Sequence, residues 1–417
     1  MEATETHRAI DAVWRIESAR LIAGLTRIVR DLGLAEELAQ DALVAALEQW
    51  PESGVPANPG AWLMATAKHR AIDTLRRQKR LERKREEIGR RLEAGMGSDE
   101  TDLDAELDDN LGDDLLRLIF MTCHPVLSTE ARVALTLRLL GGLTTGEIAR
   151  AFLASEATIA QRIVRAKRTL SEKQVPFEVP RGQERSDRVS SVLEVIYLLF
   201  NEGYTATAGD DWHRPALCED ALRLGRILAE LIPGEPEVHG LVALMEIQAS
   251  RSRARVTPSG EPILLLDQNR ARWDRLLIRR GLAALARAEA IGQAPGPYAV
   301  QAAIAACHAR AVTADATDWA RIALLYGELV RLVPSPVVEL NRAVAVAMAH
   351  GPRAGLEIVD SLIDEPSLRN YHLLPSVRGD LLARLGRTDE ARAEFRRAAS
   401  LTQNAREREF LIERSRN

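Results

Sequence analysis

The chain has 417 residues, of which 46% are hydrophobic but only 4% aromatic, and its formal net charge is −4. That length exceeds one ordinary domain and predicts two or three, with cores built from Leu, Ala, Val and Ile. A near-neutral total excludes a uniformly basic nucleic-acid coat, so any phosphate-binding surface must be local.

The elements read as helices almost throughout, and an all-α fold is expected. Ala12, Ile16, Leu21, Ile22, Leu25 and Ile28 form one stripe of a first helix. Gly33 is expected to interrupt it, and a second helix runs through Leu38, Leu43, Leu47 and Trp50. The stretch PESGVPANPG, residues 51–60, reads as a loop. A third helix starts near Ala61 and continues past Arg80. From Lys68 to Arg91 the chain is strongly basic, and from Glu93 to Asp114 it is acidic with no Lys or Arg. Such a block is expected to be a solvated linker.

A compact helical segment follows from Leu115 to about Leu170, then a second linker with two prolines around 174–183, and helices again from Arg188 onward. Cys123, Cys218 and Cys307 form no C-x-x-C pair, which fits a reducing compartment. The opening MEATETHRAID has no apolar core of a signal peptide, and no run reaches the length of a membrane span. The expectation is a soluble cytoplasmic protein that does not engage membranes.

Two segments carry chemistry. In residues 61–80, Trp62, Leu63, Ala67, Ala71, Ile72 and Leu75 make an apolar side, while Lys68, Arg70, Arg76, Arg77, Lys79 and Arg80 project from the rest. Only Asp73 can pair locally before Glu82, so the excess of cations suits a phosphate backbone better than a merely solvated face. In residues 143–170, Thr144 or Thr145 can cap one short helix containing Ile148 and Ala149. Leu153 and Ala154 make a turn, and Ser155 caps a second helix with Ile159, Ile163 and Ala166 inward. Thr158, Gln161, Arg162, Arg165, Lys167 and Arg168 are left for solvent or DNA. That is the pattern of a helix-turn-helix, although an ordinary helical hairpin with a cationic face shares it.

With these segments in this order, the sequence resembles an extracytoplasmic-function sigma factor of the sigma-70 family over about residues 10–172. DLGLAEELAQDALVAALEQWP is similar to region 2.2, which binds core RNA polymerase. The resemblance therefore implies that Glu36, Glu37, Gln40 and Asp41 face the polymerase. NPGAWLMATAKHRAIDTLRRQKR resembles regions 2.3 and 2.4, implying minus-ten contacts from Asn58, Lys68, Arg70, Arg76, Arg77 and Arg80. In the family the loop before this helix holds a flipped base, at a stacking cost of a few kcal/mol. Trp62 fits core better than a stacking platform in this pattern. The helix-turn-helix resembles region 4.2, implying minus-thirty-five contacts from Ser155, Thr158, Gln161, Arg162, Arg165, Lys167 and Arg168.

The expected layout is region 2 at 8–82, a charged linker at 83–112, region 4 at 113–173 and a helical extension at 186–417. Within the extension, three segments from about residue 296 resemble degenerate tetratricopeptide repeats: VQAAIAACHARA with TDWARIALLYGELVRLVP, NRAVAVAMAHG with PRAGLEIVDSLID, and DLLARLG with RTDEARAEFRRAASL. Family members usually end soon after region 4, so the extension is a departure, although the stretch from Arg188 to Ala290 resembles the extension of one subgroup. His213, Cys218 and His239 match no zinc spacing, and nothing gathers Glu202, Asp210, Asp211 and Asp267 into an acid–base site.

The reading is a non-enzymatic initiation factor with no cofactor and no metal. Its partners are core polymerase and promoter DNA, with a protein partner or an intramolecular contact through the repeats. Two other readings stay open: a polymerase-independent DNA-binding regulator with a ligand- or protein-sensing repeat domain, and a scaffold in which the repeats dominate.

Overall fold

The computed structural model describes residues 2–90, 111–152, 154–204, 215–257, 263–292, 294–402 and 404–416. The described residues are helical, with no strand beyond isolated bridges, and the chain divides into two compact units, Met1–Val195 and Ile196–Asn417.

The first unit opens with α1 (Glu2–Val29), α2 (Leu32–Ser53) and α3 (Pro59–Arg90). Leu21, Ile22 and Leu25 of α1, the alanines and Trp50 of α2, and Leu63, Ala67 and Ala71 of α3 are buried. Small residues on α2 let the three helices approach closely, and the edge of Trp62 meets Trp50 with ring centroids 5.3 Å apart.

Several expectations are corrected here. Ile16 is 61% exposed and Ala12 is also exposed, so the inward stripe of α1 passes instead through Ile10 and Ala19. The break between α1 and α2 falls at Arg30, in left-handed backbone at φ 55°, with Asp31 accepting from the Leu34 amide at 2.7 Å. Gly33 lies within the first turn of α2. Pro51 sits inside α2, which ends at Gly54 with φ 83°, so the loop is shorter than the prolines implied.

The same unit continues with α4 (Leu111–Thr122), α5 (Thr129–Leu139), α6 (Thr145–Ala151), α7 (Glu156–Glu172) and the first part of α8 (Gly182–Tyr204). Most of the acidic block lies outside the described residues. Its end does not behave as linker: Asp113 and Asp114 form the first turn of α4, and Asp114 is 1% exposed. Burial raises the Asp114 carboxyl against the pull of Arg27 and Arg117, which pair with it at 2.8 Å each.

In the second unit, α9 (Pro215–Leu231), α10 (Pro236–Ala249), α11 (Arg275–Ala290) and α12 (Pro297–Arg310) pack around α10, which is buried on nearly every side. Two glycines permit this. A Cβ on Gly240 would meet the Ala299 nitrogen at 2.6 Å, and one on Gly281 would meet Ile247 at 2.6 Å. Glu237 caps α12, accepting from the Tyr298 and Ala299 amides at 2.8 and 3.0 Å. Beyond it come α13 (Trp319–Leu332), α14 (Pro336–His350), α15 (Pro352–Ser361), α16 (Leu373–Arg384), α17 (Thr388–Leu401) and α18 (Ala405–Arg414). The three repeat-like segments correspond to the pairs α12–α13, α14–α15 and α16–α17. Each pair packs on the next, as in a helical solenoid.

Candidate functional site

The helix-turn-helix is built by two side-chain caps. Thr144 accepts from the Glu147 amide at 3.2 Å while Glu147 reaches back to the Thr144 amide at 2.8 Å, a reciprocal capping box that starts α6. Ser155 accepts from the Thr158 amide at 3.1 Å and starts α7. Ile159, Ile163, Ala166 and Leu170 bury one face of α7. Leu153, expected in the turn, lies outside the described residues.

The opposite face is open. Thr158, Gln161, Arg162 and Arg165 line a groove of about 410 Å³ whose other wall includes Ser128, the cap of α5, and Ala131 of α5. Glu130 also lines it. Backbone and Ser128 hydrogen bonds, with smaller help from nearby Arg162, hold its carboxyl below the usual range. Arg168 is exposed and pairs with Glu172 at 2.6 Å. Lys167 does not share this face: it turns inward and ion-pairs with Glu36.

Along α3, Arg76, Arg77 and Arg80 are exposed, Lys68 and Arg70 half-buried. Arg70 pairs with Asp41 of α2 at 3.2 Å, and the Arg80 Nε donates to the Arg76 carbonyl at 3.3 Å. Asn58 is exposed and accepts from the Ala61 amide at 3.1 Å, which makes it the cap of α3.

The acidic face of α2 splits in two. Glu37 and Asp41 are exposed. The Glu36 side chain is only 7% exposed. One of its oxygens accepts from Arg138 Nε at 2.7 Å and from Gln40 Nε2 at 2.8 Å, and the other meets the Lys167 ammonium. Burial alone would raise its pKa, but Lys167 and Arg138 overcome burial and leave it lowered. Sequence reasoning missed Arg138, because an arginine in the last turn of a helix reads as an ordinary dipole partner.

In the second unit, Cys218 is buried, its thiol pushed up to about 12 by desolvation, and His239 hydrogen-bonds the Pro233 carbonyl at 2.9 Å. His213, Asp210 and Asp211 lie outside the described residues. Among the described residues no three His, Cys, Asp or Glu side chains gather as metal ligands, and no helix is long and apolar enough to cross a membrane.

Family models match this chain in the order of its helices. Sigma-70 region 2 matches residues 16–81, sigma-70 region 4 matches 117–170, and a family of unknown function (DUF6596) matches 188–289. An uncharacterized protein of Rhizobium meliloti is 45% identical over 94% of this chain and 91% of its own length. The ECF RNA polymerase sigma factor SigK of Mycobacterium ulcerans is 29% identical over 36% of this chain and 78% of its own. A SigK from a further Mycobacterium strain is 28% identical over 37% and 77%. A capped helix-turn-helix following a basic-helix bundle, with both regions matched, defines a sigma-70 family transcription factor. Within that family the chain belongs to the extracytoplasmic-function type. It directs transcription initiation with core RNA polymerase at promoter DNA, and it carries a helical C-terminal extension.

Proposed function

We propose that residues 8–82 act as the polymerase and minus-ten module, 113–173 as the minus-thirty-five module and 186–417 as a regulatory extension, with the 83–112 segment between the first two. Glu36, Glu37, Gln40 and Asp41 face core polymerase. Asn58, Lys68, Arg70, Arg76, Arg77 and Arg80 serve the minus-ten element. Thr158, Gln161, Arg162 and Arg165 read base edges, and Ser155, Lys167 and Arg168 support them at the minus-thirty-five element. The reading is carried by the open groove beside Gln161, Arg162 and Arg165, which leaves bidentate donors free for bases. The protein acts in the cytoplasm by binding rather than catalysis. Its repeats take a protein partner or contact the sigma regions, in keeping with the high local concentration that covalent attachment gives.

The test is in vitro transcription by core polymerase on fragmented genomic DNA with and without the full chain. Discrete new start sites are expected. If a competent core polymerase yields none, while the free protein binds duplex DNA tightly at paired half-sites, a polymerase-independent regulator replaces this reading.

A further inference from the structure

Within the second unit, three arginines gather where the end of α8, the end of α10 and the segment before α11 meet α12 and α13. Arg251, just after α10, donates to the Tyr204 hydroxyl at 2.5 Å and stands 5.8 Å from the centre of the Trp273 ring. Arg255 lies over the Tyr204 ring at 3.6 Å and donates to the Tyr204 carbonyl. Arg270 stands 4.9 Å from the centre of the same Trp273 ring. Its Nη1 donates to the His308 and Ala311 carbonyls at 2.6 and 2.8 Å, and its Nη2 to the Thr317 hydroxyl at 2.9 Å. Arg270 thus closes the end of α12, a structural duty that Arg251 does not share. Among the described residues the partners of Arg251 and Arg270 are all neutral. Burial, and then the charge of Arg251, hold the Arg270 guanidinium below its usual range, so the two cations repel one another.

A second observation falls on the same residues. The Trp273 side chain is 3% exposed and Arg270 6%, yet Trp273 Nε1, Arg270 Nε and His308 Nδ1 are buried with no hydrogen-bond partner among the described residues. Native folds pair such atoms almost without exception, so three on neighbouring groups mark a place built for a further acceptor. The charge of Arg251 also acts on His308 and on Tyr326 of α13, whose hydroxyl burial pushes up to about 12. We propose that Arg251 anchors a phosphate site in the second unit, completed by the Trp273 indole, His308 and the Tyr326 hydroxyl, and that its ligand is a small phosphate monoester. Arginine presents a planar fork that matches a phosphate oxygen pair, and the aromatic wall keeps water from screening the contact. A carboxylate would offset only one of the two cations. A phosphate monoester carries about 1.5 to 2 negative charges at neutral pH and offsets both. The ligand would tie the end of α10, in the segment matched by the DUF6596 model, to α12 and α13 of the first repeat-like pair. The site lies wholly in the second unit, so it does not rest on the polymerase and promoter assignments above.

Amide hydrogen exchange of the full chain, followed while inorganic phosphate replaces chloride at constant ionic strength, tests this and separates the site from the basic helices of the first unit. Phosphate is expected to slow exchange saturably around Arg251 and from His308 to Tyr326, whereas acetate at the same ionic strength does not. In Arg251→Gln the half-saturating phosphate concentration should rise about tenfold or more, the loss of one charge-assisted hydrogen bond. Tyr326→Phe, a change that keeps the ring, should raise it by a smaller factor. Absent or unsaturable protection of these segments in the wild-type protein overturns the proposal, and that arm needs no variant to fold. Equal protection by acetate overturns it as well, because the site would then take any single-charge oxyanion. An unchanged half-saturation in Arg251→Gln, folded by circular dichroism, removes Arg251 as the anchor and the proposal with it. Each of these failures leaves the sigma-factor reading intact.

Discussion

Arg132 of α5 donates through Nη1 to the Ser191 hydroxyl of α8 at 2.6 Å, joining two segments matched by different family models. The same nitrogen reaches Glu194 at 2.9 Å. The Ser191 hydroxyl in turn donates to the Cys123 carbonyl at 2.7 Å, and Arg188 donates to the Phe120 carbonyl at 2.7 Å while stacking over the Phe120 ring. The start of α8 thus satisfies carbonyls at the end of α4 that the helix itself cannot.

A chain ending at residue 173 should therefore have a weakened region 4. Each buried polar group left without its partner costs about 1–3 kcal/mol. In the full chain, Arg132→Ala should destabilise the first unit by about 2–4 kcal/mol, because it loses contacts to Ser191, Glu194 and Thr129 together. Amide hydrogen exchange of α4 and α5 checks both. Equal protection in the full chain, the 1–173 fragment and Arg132→Ala would show that the α8 contacts add nothing.

On α7, base-reading and phosphate-contacting side chains should behave differently. Gln161→Ala or Arg162→Ala should cost about 1–3 kcal/mol at the minus-thirty-five element and relax its sequence preference. Arg168→Ala should weaken binding evenly across sequences and reduce the salt slope by about 1. Glu130→Gln removes a carboxylate from the reading groove and should tighten binding to any sequence. Holoenzyme affinity for promoter variants across a salt series distinguishes these three behaviours.

Much of this site is legible in the sequence, because local rules govern it. The caps at Thr144 and Ser155 and the inward spacing of Ile159, Ile163 and Ala166 are set within one or two helical turns. What the sequence hides is the choice of distant partner. Lys167 and Arg168 are neighbours of equal charge, yet one turns to Glu36, 131 positions away, and the other to Glu172, four away. Ile16 fits an apolar stripe by period, yet its side chain stays 61% exposed while Ser18 and Ala19 of the same turn are buried. Asp114 ends an acidic run that composition assigns to solvent, but Arg27 from α1 and Arg117 one turn along α4 both pair with it where it is buried.

The second unit should lose stability in mild acid through His308. Burial, reinforced by the charges of Arg251 and Arg270, holds its imidazole down to about 4, against 6.5 for a free one. Stability is therefore complete above pH 6.5 and is lost as pH falls from 6.5 toward 4, because the unfolded imidazole takes up a proton that the folded one refuses. At pH 5 the loss is about 2 kcal/mol. His308→Gln should flatten this dependence. Urea midpoints of both proteins at pH 7.5 and pH 5 provide the check, and parallel shifts would exclude His308 as the source.

The crossing of α14 and α15 gives the last prediction. Alanine is ordinarily the better helix former, by about 1 kcal/mol over glycine, so Gly355→Ala would stabilise an isolated helix. Here a Cβ at 355 would stand 2.4 Å from the Ala347 Cβ and 2.7 Å from the Ala343 carbonyl oxygen, and neither neighbour has a flexible end to move. Overpacking of this kind costs about 1–3 kcal/mol. The net effect should be destabilising, and Gly355→Val should be worse. Gly327 on α13 has nothing within 4 Å of its missing Cβ, so Gly327→Ala should stabilise by roughly the helix-propensity difference. Opposite signs for the two alanine substitutions in thermal unfolding would locate the close approach at Gly355. Equal signs would mean that the helix pair relaxes to admit a methyl group.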